Sequence, residues 1–140
     1  LEWYEKLKPQ LLDNVEFYYV PIHEEKFDED LDKNAADILS GPLDTEVRDN
    51  IVYWSTRGNF DWHCGIDYIK KPMELSHKNY DVIFVDGRCR AMCAYMAKYL
   101  LKDDGHLLFH DFNNRTYYHG ILKYYEIVDT AKTLAVLVKK

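Results

Sequence analysis

The chain has 140 residues, 47% of them hydrophobic and 30% charged. That is enough for one domain whose core buries about two-thirds of its unfolded surface, and too apolar for disorder to be the default. No apolar run nears the roughly 18 residues of a membrane span. Twenty-four acidic residues against 18 Lys and Arg give a net charge of −6, so nucleic acid is repelled unless a local basic patch overcomes the field.

The chain opens Leu1-Glu2-Trp3-Tyr4-Glu5, with neither an initiator Met nor a signal peptide. We expect it to be a piece of something longer. Cys64, Cys89 and Cys93 contain no CxxC, and their setting near an apolar strand and helix reads as reduced, buried thiols. That points to a reducing, cytoplasmic compartment, and leaves a Golgi-lumenal or virus-encoded origin open.

Glu2 to Leu12 is predicted to be a helix, because Trp3, Leu7 and Leu11 recur at helical spacing and Glu2 with Lys6 supports the opposite face. Val15 to Ile22 (VEFYYVPI) is rich in β-branched and aromatic residues, so it reads as a strand ended by Pro21. Residues 23–59 are acidic and hold a Gly-Pro. They read as a solvated insertion, with a lid or recognition loop as the alternative. Within them Ile51 to Ser55 suggests a short strand turned by Thr56 to Asn59. Asp61 to Lys71 is predicted helical, leading to Pro72.

The second half is clearer. Tyr80 to Val85 (YDVIFV) is apolar at nearly every position, the mark of a parallel strand buried on both faces. It ends in Asp86-Gly87. A helix follows from Met92 to Leu101, closed by Lys102-Asp103-Asp104-Gly105. His106 to Phe109 is a second buried strand, ending in His110-Asp111. A short helix is expected at Tyr117 to Lys123. Tyr125 to Thr130 and Leu134 to Val138 then form a hairpin across Ala131-Lys132-Thr133. This order predicts an α/β sheet with a mixed edge, within one domain over 1–140.

Ligands of open α/β sheets bind beyond the carboxyl ends of the strands, and both central strands end in an acid. Asp86 and Asp111 on neighbouring strand ends can hold a hard divalent cation, Mg²⁺ or Mn²⁺, that lowers the pKa of a bound hydroxyl. As alternatives, Asp86 forms a turn and Asp111 caps a helix. His110 and Asp111 should face opposite ways if both lie in a strand, and His110 can serve as a general base. His119 is a weaker candidate, while His23, His63, His77 and His106 show no ligand spacing. Arg88, Arg90 and Arg115 stand near the strand ends, where they either bind an anionic ligand or pair with local acids. Tyr117 and Tyr118 add flat surfaces for a sugar or aromatic ligand.

The string from Tyr80 onward, with VDGR at 85–88, the small-residue helix after it, HDF at 110–112, and Arg115 and Tyr118 behind, resembles the second half of a class I S-adenosylmethionine-dependent methyltransferase. More narrowly it resembles the polysaccharide O-methyltransferases of the plant glucuronoxylan 4-O-methyltransferase type and related bacterial and viral glycan-modifying domains. Glu2 to Lys8 resembles the helix after that family's second strand, and Val15 to Ile22 its third strand. The family's first strand, glycine-rich loop and ribose-binding acid have no counterpart here. The resemblance implies a Rossmann-like sheet, mostly parallel with a C-terminal antiparallel hairpin, whose first strands are absent. It therefore implies a partner, the remainder of the methyltransferase domain.

The resemblance further implies S-adenosylmethionine as cofactor, with Asp86 and Gly87 at its methionine end. It makes Asp86, His110 and Asp111 catalytic and Asp86 and Asp111 ligands of a divalent cation. Phe112 stands where cation-dependent relatives often offer an amide, for which Asn113 or Asn114 would substitute. Arg88, Arg115 and Tyr118 fall to the acceptor, a glycan or small polyhydroxyl compound methylated on a sugar hydroxyl. The alternatives are a cation-dependent methyltransferase of small molecules and a non-catalytic methyltransferase-like binding module.

Overall fold

The computed structural model describes residues 2–20, 66–75, 79–87 and 89–140. The predicted insertion at 23–59, with its strand at 51–55 and turn at 56–59, lies outside the described residues. So do Cys64, Arg88, His23, His63 and His77, and the first part of the helix expected from Asp61.

Helix α1, Glu2–Leu7, continues into a 3₁₀ turn over Lys8–Gln10. Pro9 fits there because the first turn of a helix needs no N–H partner. The expected pairing of Lys6 with Glu2 forms at 2.6 Å. The apolar face is not buried: no residue of α1 is, and Trp3 is 73% exposed. Tyr4 instead stacks on the Phe17 ring at 4.9 Å, drawing α1 onto 15–20. The strand expected there is not formed over 15–20, which have no ladder partner. β-rich composition alone makes no strand until ladder hydrogen bonds to a neighbour form.

Helix α2, Ile66–Glu74, runs past the expected stop and contains Pro72. Strand β1, Tyr80–Val85, and helix α3, Arg90–Leu100, follow, then β2, Leu101–Phe109. A 3₁₀ helix spans Thr116–Lys123 before β3, Tyr125–Ala131, and β4, Leu134–Lys139. The four strands form one mixed sheet in the order β1-β2-β4-β3. Only β1 and β2 are parallel; β2–β4 and β3–β4 are antiparallel. The expectation of a mostly parallel sheet is thus corrected for the described residues, because β4 enters between β2 and its own hairpin partner.

The turn expected at Lys102-Asp103-Asp104-Gly105 is an irregularity inside β2. The partner of β1 moves from Leu101 at Tyr80 to His106 at Val82, so these residues bulge out of the ladder. Gly105 is what allows it: a Cβ there would lie 2.9 Å from the Tyr80 carbonyl oxygen and 3.1 Å from that of Lys102.

Helix α3 covers one face of the sheet. Ala91, Ala94 and Ala97 are essentially inaccessible, and small side chains let the helix lie close. The core beneath it holds Leu107, Phe109, Phe112, Ile121, Tyr125 and Leu137, all under 2% exposed. The Tyr125 hydroxyl donates to the Ala94 carbonyl at 2.8 Å, satisfying the buried phenol. The opposite face is open among the described residues: Val82 is 54% and Phe84 58% exposed. Burial of β1 on both faces, as its sequence suggests, is therefore not seen there. Tyr18 and Val20 join α2, α3 and the outer edge of β1 in lining an apolar cavity of about 400 Å³.

Candidate active site

The carboxyl ends of β1 and β2 are locked together. The His110 N–H donates to the Val85 carbonyl at 3.1 Å, carrying the parallel ladder one step past β2. Asp111 then takes φ 57°, a left-handed conformation in which a side chain larger than glycine is strained. The chain leaves the strand at that residue, so the expected opposite facing of His110 and Asp111 does not occur. His110 Nδ1 lies 3.5 Å from Asp111 Oδ1 and 3.0 Å from Asp86 Oδ1. Asp86, His110 and Asp111 form one cluster, as the strand order implies.

Arg90 holds the cluster. It is the first residue of α3, and its side chain, 13% exposed, reaches back across both strand ends. Nε donates to the Gly87 carbonyl at 2.9 Å and Nη1 to the His110 carbonyl at 2.9 Å. Nη1 also meets Asp111 Oδ2 at 3.0 Å, and Nη2 lies 3.2 Å from Asp86 Oδ1. Arg115 Nη2 reaches the same Asp111 oxygen at 2.8 Å. Hydrogen bonding from Arg90, reinforced by the charge of Arg115, holds the Asp111 carboxyl below its ordinary range. Of the two fates open to the arginines in the sequence, pairing with local acids is the one seen for Arg90 and Arg115. Arg88 lies outside the described residues. The legible signal for Arg90 is its position four residues after Asp86, at the start of the helix that follows β1.

His110 Nδ1 is buried and makes no hydrogen bond despite its two carboxylate neighbours. The imidazole as a whole is 40% exposed, so its exposure lies on the remaining ring atoms. Behind it, Gly87 approaches Tyr68 so closely that a Cβ would stand 2.9 Å from the Tyr68 hydroxyl. Burial raises the pKa of that phenol. Tyr68 and Val85 also line the apolar cavity, which brings it up to the Asp86-Gly87 turn. Nothing in the sequence around Tyr68 marks it, since its partners come from β1 and α3.

Other candidates are placed in the scaffold. Tyr118 is only 8% exposed and its ring packs 5.0 Å from that of Phe109, so it offers little face to an acceptor. His119 stacks on Phe112 and its Nε2 meets the Phe112 carbonyl at 3.2 Å, a structural role. Asn113 donates its amide to the Lys132 and Leu134 carbonyls at the hairpin tip, at 2.9 and 3.2 Å, so it is not free to replace an amide ligand. Cys89 and Cys93 remain thiols, and burial pushes the Cys93 thiol up, away from reactivity.

A divalent cation does not fit this arrangement. A cation bridging Asp86 Oδ1 and Asp111 Oδ2 would stand in the space the Arg90 guanidinium fills. Among the described residues no three His, Cys, Asp or Glu side chains are grouped to hold a metal ion. Asp86 keeps a 40% exposed carboxylate beside an exposed Gly87. No helix among the described residues is long and apolar enough to cross a membrane. Compared with known proteins, the chain matches no family model, no curated protein and no solved structure.

Proposed function

We propose that the protein is the C-terminal part of an S-adenosylmethionine-dependent O-methyltransferase acting on a sugar hydroxyl of a glycan or another polyhydroxyl acceptor. The observation that carries this reading is the convergence of Asp86, His110 and Asp111 at the carboxyl ends of the one parallel strand pair. Such a crevice is where open α/β sheets bind their ligands. A four-stranded sheet closing in an antiparallel hairpin supports the Rossmann-like assignment, and a 400 Å³ apolar cavity beside the turn is within the range of small-molecule pockets.

S-adenosylmethionine supplies an electrophilic methyl carbon on a sulfonium. This chain supplies orientation and a base. The half-exposed Asp86 carboxylate would hold the cationic methionine end. His110 holds Nδ1 toward two carboxylates, 3.0 and 3.5 Å away, and its exposure lies on the rest of the ring, which is the edge offered to a hydroxyl as base. With the cofactor bound to supply the methyl group, that ring edge of His110 would take the proton of the acceptor hydroxyl. A sugar hydroxyl is a weak acid, so this proton acceptor is worth about a hundredfold or more; alignment supplies much of the rest. Among the described residues Arg115, 38% exposed above Asp111, is the arginine placed to meet an anionic acceptor.

Val82 and Phe84 on the open face of β1 suit a partner that covers them, and we assign that place to the rest of the methyltransferase domain.

The test is transfer of labelled methyl from S-adenosylmethionine to glucuronic-acid-containing oligosaccharides by the full protein and by His110→Gln. The variant should lose about a hundredfold in kcat. Equal kcat in the two proteins would remove His110 as the base. No transfer by the wild type to any polyhydroxyl acceptor would remove the function.

A further inference from the structure

We infer that Arg90 stands in the place of a divalent cation, so that the two strand-end carboxylates are bridged and neutralised by the chain itself. One guanidinium meets Asp86 Oδ1 at 3.2 Å, Asp111 Oδ2 at 3.0 Å and the carbonyls of Gly87 and His110 at 2.9 Å each. A hard cation would take the same set: carboxylate oxygens from two strand ends and nearby backbone carbonyls.

Both cannot be present. A cation bridging these carboxylates would sit about 2.0–2.6 Å from each oxygen, inside the volume of the guanidinium, and would face a group that never loses its charge. Arg115 occupies a further side of the same Asp111 oxygen, its Nη2 at 2.8 Å, while Asp111 Oδ1 faces His110 Nδ1 at 3.5 Å. The side chain of Asp111 is only 17% exposed, so little of its carboxylate is left for hydrated ions.

The substitution has a chemical consequence. A cation both anchors the carboxylates and acidifies a hydroxyl bound to it. A guanidinium anchors them and keeps positive potential near the crevice, but binds the hydroxyl with hydrogen bonds alone. The proton must therefore be taken by a base, the role given to His110. Arg90 is thus a positioning residue, and this consequence rests on the methyl-transfer reading; the exclusion of a cation does not.

The experiment reads Mn²⁺ binding by electron paramagnetic resonance on the full chain, with labelled methyl transfer in EDTA as a second arm. Wild type should leave equimolar Mn²⁺ in its free, hydrated form, and its transfer rate should be unchanged by EDTA. Arg90→Ala should bind Mn²⁺ at least about tenfold more tightly than wild type, the effect of removing a unit charge at contact distance, and Arg90→Ala/Asp111→Asn should lose that gain. Stoichiometric Mn²⁺ binding by wild type that disappears in Asp111→Asn overturns the inference, and this arm needs no folded Arg90 variant. A folded Arg90→Ala that gains no Mn²⁺ overturns it too. Activity that collapses in EDTA and returns with Mn²⁺ overturns it while leaving methyl transfer intact. Absence of methyl transfer under every condition removes that reading alone, with Mn²⁺ binding still deciding the place of Arg90.

Discussion

At Asp111 a backbone angle decides what a side chain can do. Its φ of 57° turns the carboxylate toward Arg90 and Arg115 instead of across the sheet from His110, and such strain persists only where the surroundings hold it. The depressed pKa fixes the sign of a pH effect. Asp111 titrates lower when folded than when unfolded, where a carboxylate titrates near about 3.9. It therefore adds stability that is complete above the unfolded value and is lost as pH falls toward the folded one. Urea midpoints measured from neutral pH down through the carboxylate range should fall less steeply for Asp111→Asn than for wild type; parallel curves would show that the pairing contributes nothing. The types and places of Asp86, His110 and Asp111 were legible, because each follows a strand with an unmistakable apolar pattern. What Asp111 faces was not, because no sequence pattern marks a left-handed aspartate. Nor was Tyr118 as core, since a tyrosine beside Arg115 reads equally well as a ligand surface until its packing on Phe109 is known.

At the scale of elements, β1, α3, β3 and β4 lie close to their predicted ranges, for the reasons given by their apolar runs and helix formers. The hairpin turns at Lys132, in the left-handed region at φ 56°, and its tip accepts hydrogen bonds from Phe112 and Asn113 through the Thr133 carbonyl. The segment carrying Asp111 is thereby tied to the far strands. The Lys-Asp-Asp-Gly run misleads because its residues favour turns, yet pairing with Tyr80 keeps it within β2 as a bulge. Gly105→Ala tests this reading. A methyl group 2.9 Å from the Tyr80 carbonyl oxygen forces backbone to shift, which should cost about 1–3 kcal/mol in denaturant unfolding. An unchanged midpoint would mean that the close approach is not there. The strand expected at Val15 to Ile22 shows the opposite failure: strand-forming composition is present over 15–20 without ladder pairing among the described residues.

At the scale of the molecule, one helix-covered face and one open face describe the sheet among the described residues. The order β1-β2-β4-β3 leaves the outer edge of β1 unpaired there, with Val82 and Phe84 exposed beside it. Composition and strand periodicity were enough to give the α/β class. The antiparallel entry of β4 between β2 and β3 depends on long-range pairing that no local pattern encodes. The site itself depends on β1 and β2 bringing Asp86 and Asp111 onto one guanidinium. The measurement that reaches this most directly is a double-mutant cycle in urea at neutral pH, with Asp86→Asn, Asp111→Asn and the pair together. Either carboxylate alone still partners the largely buried Arg90, so losing both should cost more than the sum of the single losses. Strict additivity would mean that the two strand ends act apart, and would contradict the account.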